Sequence, residues 1–378
     1  MMRILHVYSG NLFGGIEAIL VAIARSQASW PALQHEFALS FHGRLERELA
    51  EAGAAVHHLG PVRMSRPATV RAARGALARL LEVAKFDGAI CHAPWSQGIL
   101  GGVVRRAELP LAFWAHDRMT GRHWTERLAR RVVPDLAICN SRFTAETLPS
   151  LYPRTRSVVV YAPVDVDRLH RPHQAGDVRL MRASLSTPEA ACVIVQVSRS
   201  ERWKGHSVLI EALAELRQTP DWIWWQVGGA QRPAEAEYLA ALKRQARQLR
   251  IGERVRWLGE RTDVPALLGA ADVYCQPNLE PEPFGIAFVE ALGAGVPVVT
   301  SHLGGAREIV DESCGVLVEP RNPAALADAL RRLVADRASR LRLGAAGPLR
   351  ARALCEPAAS MRRLSSALAE MLPAEIGA

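Results

Sequence analysis

Short runs of apolar and β-branched residues alternate along this chain with longer stretches whose apolar positions recur every three or four residues. The short runs predict strands over residues 4–8, 36–40, 88–92, 111–116 and 136–140. After a break they continue over 157–161, 193–198, 223–228, 255–258, 273–276, 296–300 and 315–318. The longer stretches predict helices between them, among others over 16–26, 68–84 and 207–217. Strand–helix alternation of this kind gives parallel sheets with helices on both faces. The sheet pattern restarts after Tyr161-Ala162-Pro163-Val164, which places a linker there. The expected architecture is α/β: two doubly wound, Rossmann-like domains, residues 1–163 and 164–357, facing across a cleft. A last helix, over about 358–372 within the tail 358–378, is expected to pack back on the first domain.

Length supports two domains, since 378 residues exceed one ordinary core. With 49% hydrophobic and 22% charged residues the chain is globular in composition rather than disordered. No apolar run approaches the roughly 18 residues of a membrane span, and the start, Met1-Met2-Arg3 and a short apolar run, does not have the pattern of a secretory leader. Six scattered cysteines form no C-x-x-C pair, so they are expected as reduced core residues of a cytoplasmic protein. Charge changes the picture more. Residues 1–160 hold 20 basic and 12 acidic side chains, the remainder 27 and 26. The basic surplus therefore lies in the first half. Arginine dominates it, and Lys85, Lys204 and Lys243 are the only lysines.

Three stretches carry candidate chemistry. Gly14-Gly15 lie between the first strand and the first helix, where backbone can approach a ligand and a helix N-terminus can face an anion. The stretch is neither a dinucleotide G-x-G-x-x-G nor a Walker loop, and a plain tight turn explains it equally well. Ser198-Arg199-Ser200-Glu201-Arg202-Trp203-Lys204-Gly205 also joins a strand to a helix. Arg199 can fork onto two phosphate oxygens and Lys204 adds a compact charge, a pair suited to a leaving diphosphate; an exposed turn is the alternative. In Glu280–Leu292, Glu282 and Glu290 are separated by seven residues. A helix beginning near Gly285 or Ile286 puts Glu290 just over one turn inside and Glu282 in the loop before it. Carboxylates there can accept hydrogen bonds from vicinal sugar hydroxyls, or simply favour the helix dipole and solvent.

In these stretches, and in Val255–Gly259, Ala271-Asp272-Val273, Gly295–Val299, Gly304-Gly305, Glu308-Ile309-Val310 and Asn322-Pro323, the second half resembles glycosyltransferase family 4 of the GT-B fold. Glu282–Glu290 fits that family's E-x7-E arrangement, and the likeness extends over about residues 193–330. The first half resembles the family more loosely, through Gly14-Gly15 and His116-Asp117. The resemblance implies a retaining, hexosyltransferase-like enzyme that uses a nucleotide sugar, UDP- or GDP-linked, with a donor phosphate oxygen taking the acceptor proton. It implies that Arg199 and Lys204 hold the diphosphate, Glu282 contacts the transferred sugar and Glu290 the ribose. His116 then faces the donor sugar, the Gly15 backbone nears the phosphates, and Gly285, Ile286 and Ala287 offer N–H groups beside Phe284. No metal and no other cofactor is implied. Ser198 and Asn278 depart from the residues common in the family, a glycine and a serine, without removing a charge.

The other histidines show no metal-ligand spacing, and no nucleic-acid motif accompanies the basic half. His116 taken alone also fits a strand-end histidine bonded to backbone. Trp222, Trp224 and Trp225 are expected in the core, and Trp203 is the better candidate for a ligand contact. A sugar-nucleotide epimerase, a phosphorylase or a non-catalytic sugar-nucleotide-binding protein are the other readings of such a fold. The acceptor is left open among a glycan of the cell envelope, a lipid-linked molecule and a small molecule. Two basic clusters, Arg63, Arg66, Arg71, Arg74, Arg79 with Lys85, and Arg118, Arg122, Arg127, Arg130 with Arg131, raise the expectation of peripheral contact with an anionic membrane face.

Overall fold

The computed structural model describes residues 1–169, 175–219 and 221–372. Two compact units result: Met1–Pro163 together with the chain from Cys355 onward, and Val164–Leu354. The first holds a parallel sheet of β1 (Met2–Tyr8), β2 (Leu33–Leu39), β3 (Ala55–His58), β4 (Gly88–His92), β5 (Leu111–Ala115), β6 (Leu136–Cys139) and β7 (Ser157–Val159), in the order β3-β2-β1-β4-β5-β6-β7. The second holds β8 (Cys192–Val197), β9 (Trp222–Val227), β10 (Val255–Gly259), β11 (Val273–Gln276), β12 (Val298–Ser301) and β13 (Gly315–Val318), in the order β10-β9-β8-β11-β12-β13. Both are doubly wound sheets whose strand order reverses once, between β1 and β4 and between β8 and β11. Ligands in such sheets bind at the carboxyl ends of the strands flanking that reversal.

The central strands explain why the pattern was readable. Covered on both faces, they are continuous apolar runs rather than alternating ones. Leu111–Ala115 is buried at every position, as is Trp222–Val227. The three tryptophans of β9 are core residues, as expected. Two of them also satisfy their indole N–H groups: Trp222 Nε1 donates to the Leu216 carbonyl at 2.9 Å and Trp225 Nε1 to Thr187 Oγ1 at 3.0 Å. The one strand not expected is β3. It is a four-residue edge strand with two histidines and partly exposed side chains, so it lacks the apolar run that marks the others.

All six cysteines are buried and unpaired, and burial pushes Cys139 and Cys192 up to about 12, which keeps them protonated. The last helix is Pro357–Ala369, capped by Glu356, whose side chain accepts from the amides of Ala358 and Ala359. It belongs to the first unit, where Glu370 pairs with Arg156 and Arg362 lies over the Trp30 ring. The part of the expected tail over 373–378 lies outside the described residues.

Candidate active site

In the second unit, the loops after β8 and β11, the two strands at the reversal, meet. The loop after β8 turns through Arg202–Lys204 into the helix His206–Glu215. Gly205 makes that meeting possible. Its φ is +75°, and a Cβ there would stand 1.8 Å from the Pro277 carbonyl oxygen of the other loop. The result is an ion pair: Lys204 Nζ donates to Glu282 Oε2 at 2.7 Å. The Lys204 ammonium also lies 3.8 Å from the centre of the Trp203 ring, so Trp203 braces the lysine.

Glu282 is buried, and one oxygen of its carboxylate, Oε2, gathers its side-chain donors. Asn278 Nδ2 donates to Oε2 at 3.0 Å and Gln276 Nε2 at 3.3 Å. Gln276 is itself fixed by the Tyr274 hydroxyl, at 2.9 Å. The backbone of Glu282 is held too. Its carbonyl accepts from the Gly305 amide at 2.8 Å, and at Gly304, φ +57°, a Cβ would stand 2.4 Å from the same oxygen. Pro283 and Phe284 then lead to Gly285, which caps the helix Ile286–Gly293. That helix starts where expected, with Ile286 and Ala287 in its first turn and Glu290 just over one turn in. Phe284 is buried.

The two carboxylates live differently. Glu290 keeps partial solvent access along its side chain, yet its carboxyl has no hydrogen-bond partner among the described residues, and desolvation raises its pKa to about 7. Arg199 also differs from the simple expectation of a fork open to phosphate. Its guanidinium donates to Glu235 Oε1 at 2.9 Å and to Glu201 Oε1 at 2.6 Å. Three of its five N–H groups remain for a ligand.

In the first unit, Gly14 precedes the helix Gly15–Ser26, and its amide donates to Glu17 Oε2 at 2.8 Å. Glu17 also receives the Tyr8 hydroxyl. Gly15 is exposed, and a Cβ there would face open space, so any demand for glycine there comes from outside the chain. His116 follows β5 and is 5% exposed. Its Nε2 pairs not with backbone but with His92 Nδ1, at 2.9 Å.

Several residues were not singled out from sequence. Gln276 is an ordinary strand-end amide until its contact with Glu282 is seen. His6, His35 and His92 sit in unrelated strands, and only the strand order makes them neighbours. His42, Glu46 and His58 lack any ligand motif along the chain, yet their ligand atoms fall within 4.8 Å of one another, the one such group among the described residues.

Residues 13–168 match the family model described as Glycosyltransferase Family 4, and residues 177–350 that of Glycosyl transferases group 1. The chain is 34% identical over 278 residues to the phosphatidyl-myo-inositol mannosyltransferase of Mycobacterium leprae, covering 69% of this chain and 68% of that one. The chain belongs to glycosyltransferase family 4. It is also 35% identical over 227 residues to the D-inositol 3-phosphate glycosyltransferase of Salinispora tropica, covering 55% of this chain but only 45% of that protein. Among solved structures, Anabaena HepE in complex with UDP and glucose superposes with a TM-score of 0.85 at 24% identity, over 98% of this chain and 100% of that one. That likeness gives the fold, the two-domain α/β GT-B type.

Within this family frame Glu290 generates a pH prediction. Neutral in both states at low pH, it ionises first in the unfolded chain, near its ordinary value of 4.5, and in the folded chain only near 7. Stability is therefore lost as pH rises through that window, by up to a few kcal/mol. Glu290→Gln should flatten the slope, measured as urea midpoints at about pH 5 and about pH 7.5. Equal slopes in the two proteins would put the carboxyl in water.

Proposed function

We propose that this family 4 member transfers a sugar from a nucleoside-diphosphate sugar to an acceptor hydroxyl, with retention and without a metal. The observation that carries the reading is the Lys204–Glu282 pair, held between two loops at the strand reversal of the second unit. A cation and a sugar-type acceptor group share one small polar cluster there, beside the start of the helix Ile286–Gly293. In the proposed step the acceptor oxygen bonds to the anomeric carbon as the bond to the diphosphate breaks. The acceptor proton passes to a phosphate oxygen, and the nucleoside diphosphate leaves. Lys204 and the free N–H groups of Arg199 meet the charge that grows on the diphosphate, work that a metal does elsewhere. Gly285, Ile286 and Ala287 add backbone dipoles beside Phe284. Glu282 holds the transferred sugar and Glu290 the ribose hydroxyls. His116 and the Gly14-Gly15 turn contact the donor. The relatives' names, a mannosyltransferase and an inositol-phosphate glycosyltransferase, support transfer, and HepE with UDP and glucose supports a nucleotide-sugar donor. No observation favours an epimerase.

The test is release of labelled sugar from UDP-glucose and GDP-mannose in the presence of a lipid and glycan extract. Lys204→Ala should lower turnover by on the order of 10²-fold, with smaller change in nucleoside diphosphate affinity. Wild-type turnover in that variant removes the clamp from the mechanism. Activity should also survive exhaustive EDTA treatment; loss restored by Mn²⁺ or Mg²⁺ would assign the charge to a metal instead.

A membrane-facing acceptor is favoured by one further observation. Arg63, Arg66, Arg71, Arg79 and Lys85 are all exposed on or beside the helix Pro67–Val83, next to the exposed apolar Met64 and Val83. The second cluster flanks, along the chain, Trp124, a half-exposed indole packed edge-on against Trp95. Basic side chains mixed with exposed apolar ones suit an anionic leaflet, at about 1 kcal/mol per residue. Among the described residues no helix is long and apolar enough to cross a membrane. Arg74 is less suited to the test, because its Nε donates to the Ile99 carbonyl at 2.8 Å. Arg66→Glu with Arg71→Glu should abolish salt-sensitive co-sedimentation with phosphatidylglycerol vesicles. A wild-type chain that stays in solution at low salt would favour a soluble acceptor.

A further inference from the structure

Four buried histidines form a continuous hydrogen-bonded line across the first sheet. His35 Nδ1 lies 2.8 Å from His6 Nε2, His6 Nδ1 lies 2.9 Å from His92 Nε2, and His92 Nδ1 lies 2.9 Å from His116 Nε2. Strands β2, β1 and β4, which bear the first three, and β5, which ends just before His116, are successive neighbours. Their register explains the line. His35 pairs with Ile4, His6 with Ile90, and His92 with Trp114. Each histidine is thus two residues further along than its neighbour's partner. Two residues restore the same face, so all four rings share one side of the sheet. Each step also climbs about 6.6 Å toward the carboxyl ends, where ligands bind. The line runs from mid-strand at His35 to His116 at the ligand end.

The surroundings fix the rings. His6 stacks on Phe37 at 5.0 Å, and Trp114 stacks on both His92 and His116. The residue after His92, Ala93, has φ +65°, a left-handed conformation that costs an alanine about 1–2 kcal/mol. Burial lowers the pKa of all four, to about 4 for His35 and about 3 for His116. Each ring is therefore neutral near pH 7 and carries one N–H.

The counting is restrictive. Four protons serve three links, and each link needs one. One proton remains for an end, either His35 Nε2 or His116 Nδ1. Both end nitrogens are buried without a partner. The line has two good states, all Nδ1–H or all Nε2–H. A buried N–H without an acceptor is less tolerable than a bare lone pair. At the His35 end nothing among the described residues accepts a proton, whereas a bound ligand oxygen can accept one at His116.

We propose that His35, His6 and His92 are positioning residues that hold His116 in its Nδ1–H tautomer, so that it donates a hydrogen bond to an oxygen of the donor sugar. This rests on the reading of His116 as the donor-facing residue. Full-length protein labelled with ¹⁵N-histidine separates the two claims. Nitrogen spectra distinguish protonated from bare ring nitrogens, with rings assigned by single substitution. With UDP-glucose or GDP-mannose bound, all four rings should be in the Nδ1–H form. An Nε2–H form at His116, or a charged ring in the line at neutral pH, overturns the proposal. His92→Phe removes the N–H that His116 Nε2 accepts and should leave His116 as a mixture of tautomers. It should lower kcat for hydrolysis of UDP-glucose or GDP-mannose by on the order of 10-fold at nearly constant KM. His92→Asn, whose amide can donate to His116 Nε2, should restore both. A fixed His116 tautomer in His92→Phe overturns the line. A His116→Ala variant with unchanged hydrolysis instead overturns the donor-facing reading and leaves the tautomer result standing.

Discussion

The contact between Lys204 and Glu282 depends on a close approach of two loops that only a glycine permits. The Gly205 backbone lies where any side chain would enter the Pro277 carbonyl, and that proximity brings the lysine of one loop to the carboxylate of the other. Much of the second unit serves this contact. Gly304 and Gly305 hold the Glu282 backbone, Tyr274 holds Gln276, and Gln276 with Asn278 holds the carboxylate. A largely buried ion pair is a poor device for stability, because desolvation offsets most of its attraction. Its value here is orientation. A ligand that draws Lys204 toward a phosphate meets a carboxylate still held by two amides.

Glu282 and Glu290 show how one motif can contain two chemical characters. Glu282 is surrounded by donors, while Glu290 faces desolvation without a compensating donor. Seven-residue spacing reveals neither. The difference arises because the first sits in a loop fixed by strand-end amides, and the second inside a helix whose own amides point elsewhere.

The fold was largely legible because both sheets are covered on two faces, so strands such as Gly88–His92 and Val273–Gln276 stand out as apolar blocks. Edge strand β3 was not, since an exposed edge needs no such block. In the candidate site, Arg199, Lys204, Glu282 and Glu290 were visible through residue type and spacing. Their partners were not. Glu201 and Glu235 on Arg199 are separated by 34 positions, and nothing in the sequence couples them to a guanidinium. Contacts between strand ends depend on strand order, which local pattern does not encode.

The histidine line is the clearest case of that limit. Each of its members breaks the apolar pattern of a strand, and each carries a desolvation cost that an aliphatic residue would avoid. Six of their eight ring nitrogens offset that cost in pairs, but the pairing works only if all four are present and in one register. Replacing one leaves a neighbour's nitrogen buried and unmatched, so the four are energetically one unit. Local rules broken together, at the ligand end of a sheet and next to a left-handed alanine, mark a place where the fold gives up stability for a defined arrangement of donors and acceptors.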